Sequence, residues 1–103
     1  GLLESAYEAC MFYELSKYNL KIEKQKCLPL IYEEVQLEAG YRIDLMIEAK
    51  FIVEIKSVEA LNDVHLAQIL TYLRLSHCKL GLLINFNVKL LKEGTKRVIN
   101  GTL

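Results

Sequence analysis

Between Tyr41 and Lys56 the chain alternates twice between apolar and polar side chains. The first run is Tyr41-Arg42-Ile43-Asp44-Leu45-Met46-Ile47 and the second is Phe51-Ile52-Val53-Glu54-Ile55-Lys56. Period-two alternation of this length predicts strands, and the short Glu48-Ala49-Lys50 joint predicts a hairpin. Ile43, Leu45, Ile47, Phe51, Val53 and Ile55 then share one apolar face, while Arg42, Asp44, Met46, Ile52, Glu54 and Lys56 share the other. That arrangement needs an odd-numbered loop, with Asp44 opposite Glu54; a two-residue turn without a bulge would send Asp44 to the wrong face.

The flanking segments read less symmetrically. Leu2 to about Tyr18 predicts a helix with a broad stripe of Leu3, Ala6, Tyr7, Cys10, Tyr13 and Glu14, widened by Met11 and Tyr18 and stopped at Asn19. Lys21 to Tyr32 predicts a strand that Pro29 interrupts or confines to an edge. Glu33 to Gly40 predicts a polar connection ending in a turn at Gly40. Asn62 or Asp63 can cap a helix running to about His77, with Leu66, Ile69, Leu70 and Leu73 as its buried stripe. Lys79 to Phe86 is a nearly continuous apolar run, the mark of a strand covered on both faces. Val88–Leu91 and Arg97–Ile99 predict a small terminal hairpin. The order helix, three strands, helix, strand, hairpin predicts one layer of sheet flanked by helices, α/β or α+β.

At 103 residues the chain predicts one domain, spanning 1–103, and 52% hydrophobic with 25% charged residues describes a chain that builds a core. No apolar run approaches the roughly 18–20 residues of a spanning helix, and no basic-then-apolar leader is seen. Thirteen basic and thirteen acidic side chains balance, which gives no support to a nucleic-acid partner by itself, since such proteins usually show a basic stripe. Charge is nonetheless segregated: Lys21, Lys24 and Lys26 form one cluster, Lys89, Lys92, Lys96 and Arg97 another, and Glu33, Glu34 and Glu38 gather elsewhere. Cys10, Cys27 and Cys78 fit neither a zinc pattern nor a disulfide framework. Cys10 and Cys27 are expected to be small buried hydrophobes, and a reducing, cytoplasmic location follows as the default.

The chemistry sits on the charged strand face. Asp44, Glu54 and Lys56 converge on a half-apolar patch, where facing like charges are destabilising and a desolvated carboxylate resists ionisation. A divalent cation between Asp44 and Glu54 would reverse both penalties. The alternative is a solvated sheet face with mixed charges, in which Lys56 makes a plain salt bridge and Arg42 a cross-strand pair. His65, Gln68 and Tyr72 form a polar stripe on the second helix, with His65 a boundary residue; Glu4 reads by itself as a solvated first-turn acid.

Asp44 with Glu54-Ile55-Lys56 resembles the signature of the PD-(D/E)XK nuclease superfamily. Gly1-Leu2-Leu3-Glu4-Ser5-Ala6-Tyr7 is similar to the string that names its GxxExxY family. Tyr41–Leu45, Glu54-Ile55-Lys56-Ser57-Val58-Glu59, Gln68 followed by Tyr72, and Gly81-Leu82-Leu83-Ile84-Asn85-Phe86 resemble that family in order. The resemblance implies a restriction-endonuclease-like αβββαβ core with a central mixed sheet and a small C-terminal hairpin. It implies hydrolysis of nucleic-acid phosphodiesters, DNA foremost, with magnesium or manganese. Catalysis would fall to Asp44, Glu54 and Lys56. Glu4, Asp44, Glu54 and the Ile55 carbonyl would hold the metal, and Gln68, Tyr72 and Arg42 would contact substrate. Two departures stand out: Ile43 replaces the proline of the superfamily's name, and Ala49 replaces a polar turn residue. Members usually carry a further helix before the first glycine, so the resemblance also implies a trimmed chain with some core face uncovered. A binding module without turnover, on the same fold, remains the competing reading. A homodimer would add the surface that a small core lacks.

Overall fold

The computed structural model describes residues 2–102, except the side chains of Leu2, Leu30, Tyr32 and 37–40. Gly1, which opens the Gly1–Tyr7 string, lies outside the described residues. The elements are α1 (Leu2–Ser16), β1 (Ile22–Tyr32), β2 (Val35–Ile47), β3 (Phe51–Lys56), α2 (Asp63–Ser76), β4 (Leu80–Asn85), α3 (Leu91–Gly94) and β5 (Thr95–Ile99). The strands form one mixed sheet in chain order. All neighbours are antiparallel except β3 and β4, which run parallel because α2 carries the chain back across the sheet. The expected αβββαβ order is therefore present.

Leu45 pairs with Val53, Met46 with Ile52 and Ile47 with Phe51, the register that a three-residue joint at Glu48-Ala49-Lys50 requires. The joint turns through Glu48 and Ala49, both at positive φ, and closes with the Lys50 N–H donating to the Ile47 carbonyl. The β1–β2 hairpin is tighter than expected. Only Glu33 and Glu34, at φ of 48° and 67°, connect the strands. Two consecutive positive φ angles match the twist of paired strands, but glutamate is a poor advertisement for such a turn. The predicted 33–40 connection is thus mostly strand, and Gly40 lies within β2. Pro29 marks a register shift in β1, an edge strand, as its missing N–H suggested.

Helices cover both faces. On the α1 side, Tyr7, Met11, Phe12 and Leu15 pack on Leu45, Ile47, Val53, Ile55 and Ile84. On the α2 side, Ile69, Tyr72 and Leu73 pack with Leu28, Ile43, Met46, Ile52 and Leu83. Two sequence assignments change. Met46 and Ile52, placed on the polar face, are buried under α2, so that face is not a solvated one. Ile43 belongs to the α2 side although Leu45 belongs to the α1 side. The β1–β2 ladder passes from Lys24–Leu45 to Lys26–Ile43 without a Gln25–Asp44 pair, and Gln25 has φ of 49°. The alternation inverts at that rung.

The buried stripe of α1 is also rotated from its expected position. Tyr7, Met11 and Leu15 follow i, i+4, i+8 spacing toward the sheet, leaving Leu3, Cys10, Tyr13 and Tyr18 exposed. Cys27 is exposed too, and only Cys78 of the three thiols is buried. At the other end, the C-terminal hairpin is formed by β4 and β5. The expected strand at Val88–Leu91 is instead a bend leading into α3, with Gly94 packed against the end of β4. A methyl group at Gly94 would collide with the Asn85 carbonyl oxygen and crowd Val88. Because the obstacle is backbone, Gly94→Ala should lower the unfolding free energy by roughly 1–3 kcal/mol. Denaturant unfolding should show a lower midpoint with unchanged slope; an unchanged midpoint would refute the close packing.

Candidate active site

The β2–β3 ladder stops at Leu45–Val53, whereas β2 stays paired with β1 through Tyr41 and β3 stays paired with β4 through Lys56. Past the last rung, side chains take over the strand contacts. The Asp44 N–H donates to Glu54 Oε2 at 2.7 Å, and the Ile55 N–H donates to Asp44 Oδ2 at 2.7 Å. Each acid thus accepts a main-chain hydrogen bond from the other strand, fixing both carboxylates in a part-buried gap. Such bonds are among the stronger ones in proteins where the accepting carboxylate is ionised.

Glu54 is 3% exposed, and burial, followed by the neighbouring Asp44 charge, raises its pKa to about 8; the Asp44 N–H and Lys56 oppose the rise. Burial also raises Asp44, opposed by the Ile55 N–H, Lys56 and Gln25 and reinforced by Glu4. Lys56 makes no ion pair with either acid within 4.0 Å among the described residues. It donates instead to Gln68 Oε1 of α2 at 3.2 Å. Tyr72, one helical turn further, is buried and packs edge-on against Tyr41 at 5.7 Å. Its hydroxyl pKa is raised by burial and then by the charges of Glu54 and Asp44. Gln68 and Tyr72 therefore both approach the acid patch. Arg42 is exposed and makes no ion pair among the described residues. His65 caps α2: its Nδ1 accepts from the Asn62 N–H while Asn62 Oδ1 accepts from the His65 N–H.

From α1, Glu4 reaches the loop after β3, where its Oε2 accepts from the Ser57 N–H at 3.0 Å. Three neighbours went unnoticed in the sequence. Glu8, one turn after Glu4, accepts from Gln25 Nε2 at 2.7 Å, and the same amide lies 3.4 Å from Asp44 Oδ1. The i, i+4 spacing from Glu4 was the available signal for Glu8; nothing in the sequence marked Gln25, whose aim depends on its left-handed backbone. Asn85, 3% exposed, ends β4. Its Oδ1 accepts from the Val58 and Asn87 N–H groups and its Nδ2 donates to the Val58 carbonyl. A lone amide closing an apolar strand was its only cue.

The donor set suits a hard divalent cation, which prefers carboxylate and carbonyl oxygens. No group of three or more His, Cys, Asp or Glu side chains is gathered for a metal among the described residues. Glu4 is engaged with Ser57, and Ile55 is a core residue whose N–H is committed to Asp44.

The metal-free site has a distinct pH signature. Between about 4.5 and about 8 the folded chain holds the Glu54 proton that the unfolded chain releases. Stability from this group is full below about 4.5 and is lost as pH rises through about 8. Denaturation in EDTA should show stability falling over that window, and Glu54→Gln should flatten the fall. A wild-type stability that rises across it would show that Glu54 is not proton-retaining.

Among the described residues, no helix is long and apolar enough to cross a membrane. No curated protein and no solved structure matches the chain. A family model described as the PD-(D/E)XK nuclease superfamily matches residues 1–98, and the five-stranded mixed sheet with flanking helices is compatible with the restriction-endonuclease-like fold. Members of that superfamily generally use divalent metals. With nearly its whole length covered, the chain belongs to the PD-(D/E)XK nuclease superfamily.

Proposed function

We propose that residues 1–103 act as one metal-dependent nuclease domain of the GxxExxY type, hydrolysing nucleic-acid phosphodiester bonds, with DNA the first substrate to test. The observation that carries this reading is the Asp44–Glu54 pair: two desolvated carboxylates locked to each other's strands, with an ammonium held beside them but not neutralising them. Such a pair is costly unless something positive joins it.

Asp44 and Glu54 are the principal ligands for magnesium or manganese, with Glu4 and the Ile55 carbonyl completing the set. Bound there, the ion would supply Lewis-acid polarisation of the phosphate and would lower the pKa of a coordinated water below that of bulk water. Lys56 stabilises the negative charge that develops on the phosphate oxygens as the new P–O bond forms and the old one breaks. Gln68 orients Lys56, Tyr72 closes the patch beneath α2, and Arg42 meets a flanking phosphate from its exposed position. Asn85 keeps the Ser57-Val58 loop in place for Glu4. The reading places the protein in the cytoplasm, and a homodimer would supply surface for a duplex.

A second reading, a nucleic-acid- or protein-binding module without turnover on the same fold, draws on the zero net charge and on the small surface that a 103-residue core offers to a duplex. Millimolar magnesium should raise the wild-type thermal midpoint by mass action, and calorimetry should show that Asp44→Ala abolishes that binding. Lys56→Met should cut cleavage at least 100-fold, about 2.7 kcal/mol of barrier or more, while leaving metal affinity within about threefold. Glu54→Gln should weaken both, because only the acid is a ligand. An unchanged midpoint at saturating magnesium, with no cleavage of DNA or RNA in manganese, would remove the enzyme and leave the binding module.

A further inference from the structure

At the opposite end of β3 from the acid patch lies an open cavity of about 390 Å³, lined by Ala49, Lys50, Phe51, His77, Cys78, Lys79 and Leu80. That volume falls within the roughly 300–1,000 Å³ of small-molecule sites. Five residue steps of β3 separate Phe51 from Lys56, about 17 Å at strand rise. The cavity is therefore a separate place on the sheet.

Its walls are two hydrogen-bonded turns. One is the β2–β3 turn through Ala49. The other is the left-handed turn at His77 that ends α2, where the His77 and Cys78 N–H groups donate to the Arg74 and Leu73 carbonyls. Asn100, beyond β5, secures this second wall: its N–H donates to the Lys79 carbonyl and its Nδ2 to the Cys78 carbonyl. The site is preformed, so a ligand meets little ordering cost.

The chemistry of the lining is uneven for a chain of balanced charge. Lys50, His77 and Lys79 are exposed, make no ion pair among the described residues, and no acidic side chain joins the lining. Between them, Phe51 is 37% exposed although it begins a core strand. One cation near the last turn of α2 would suffice to complement the helix dipole. Lys50 comes from the other turn and has no such role. An aromatic face flanked by free ammonium groups is the pairing that holds a base and its phosphate.

We propose that this cavity binds a nucleotide unit, with Phe51 stacking on the base and Lys50 and Lys79 taking the phosphate. The unit comes either from a free nucleotide or from a strand of nucleic acid. The proposal does not require the acid cleft to be catalytic. NMR titrations of the metal-free protein with AMP, inorganic phosphate and a short oligothymidylate test it. AMP or the oligonucleotide should shift the amides of residues 49–51 and 77–80, with inorganic phosphate at least tenfold weaker. Oligonucleotide binding at least tenfold tighter than AMP identifies a strand as the source; otherwise it is the free nucleotide. Lys50→Gln/Lys79→Gln should weaken the response at least tenfold without unfolding the chain. Phe51→Leu should weaken it severalfold while keeping the apolar floor. Absence of shifts at these residues, phosphate matching AMP, or an unchanged double variant would each overturn the proposal.

Discussion

The exchange of main-chain hydrogen bonds between Asp44 and Glu54 is the constraint on which the candidate site depends. Where a backbone rung would normally join β2 to β3, the Asp44 N–H reaches a carboxylate of β3 and the Ile55 N–H reaches a carboxylate of β2. Buried backbone groups must find partners, and here satisfying them anchors both acids. Carboxylates are thereby held in a gap that desolvation alone would empty of charge. The strand contact is kept while the strands end their regular pairing, and the space between them becomes usable for chemistry.

The remainder of the fold secures that gap from three directions. From α1, Glu4 engages the Ser57 N–H, and Tyr7 of the same helix stacks on Phe86 with centroids 4.4 Å apart. On the α2 side, Gln68 receives Lys56 and Tyr72 seals the patch. The parallel β3–β4 pair brings Asn85 beside Lys56, where it clasps Val58 on both its N–H and its carbonyl. A buried amide with this many partners acts as a rigid fastener, because each lost bond would strand a polar group away from water.

Much of this was legible because periodicity reports on faces. The β2–β3 alternation and the parity of its joint predicted which residues pair, and the Asn62 cap, the Ile69 and Leu73 stripe and the buried β4 run could be read in advance. What could not be read depended on backbone conformation without a sequence cue. Glu33-Glu34 and Gln25 adopt positive φ with side chains that do not announce it, so the length of β2 and the inversion at Asp44 were hidden. Helix α1 offered two apolar stripes, and only the sheet decides which is buried. The choice exposed Cys10 and covered Phe12. Gln25 entered the neighbourhood of Asp44 through one of these same unreadable features, whereas the i, i+4 spacing of Glu8 from Glu4 was a cue that could have been read.

The inversion at the Gln25–Asp44 rung occurs in both strands at once. A lone bulge would displace one strand along its neighbour and change every later partnership. A matched pair leaves the partnership unaltered, since Lys26 still meets Ile43 and Leu28 still meets Tyr41, while exchanging which helix each side chain sees. The hairpin thus behaves as a ribbon given a half-turn about its own axis without being slid. Asp44 sits at the pivot, turned toward the strand edge where an ordinary sheet residue would point up or down.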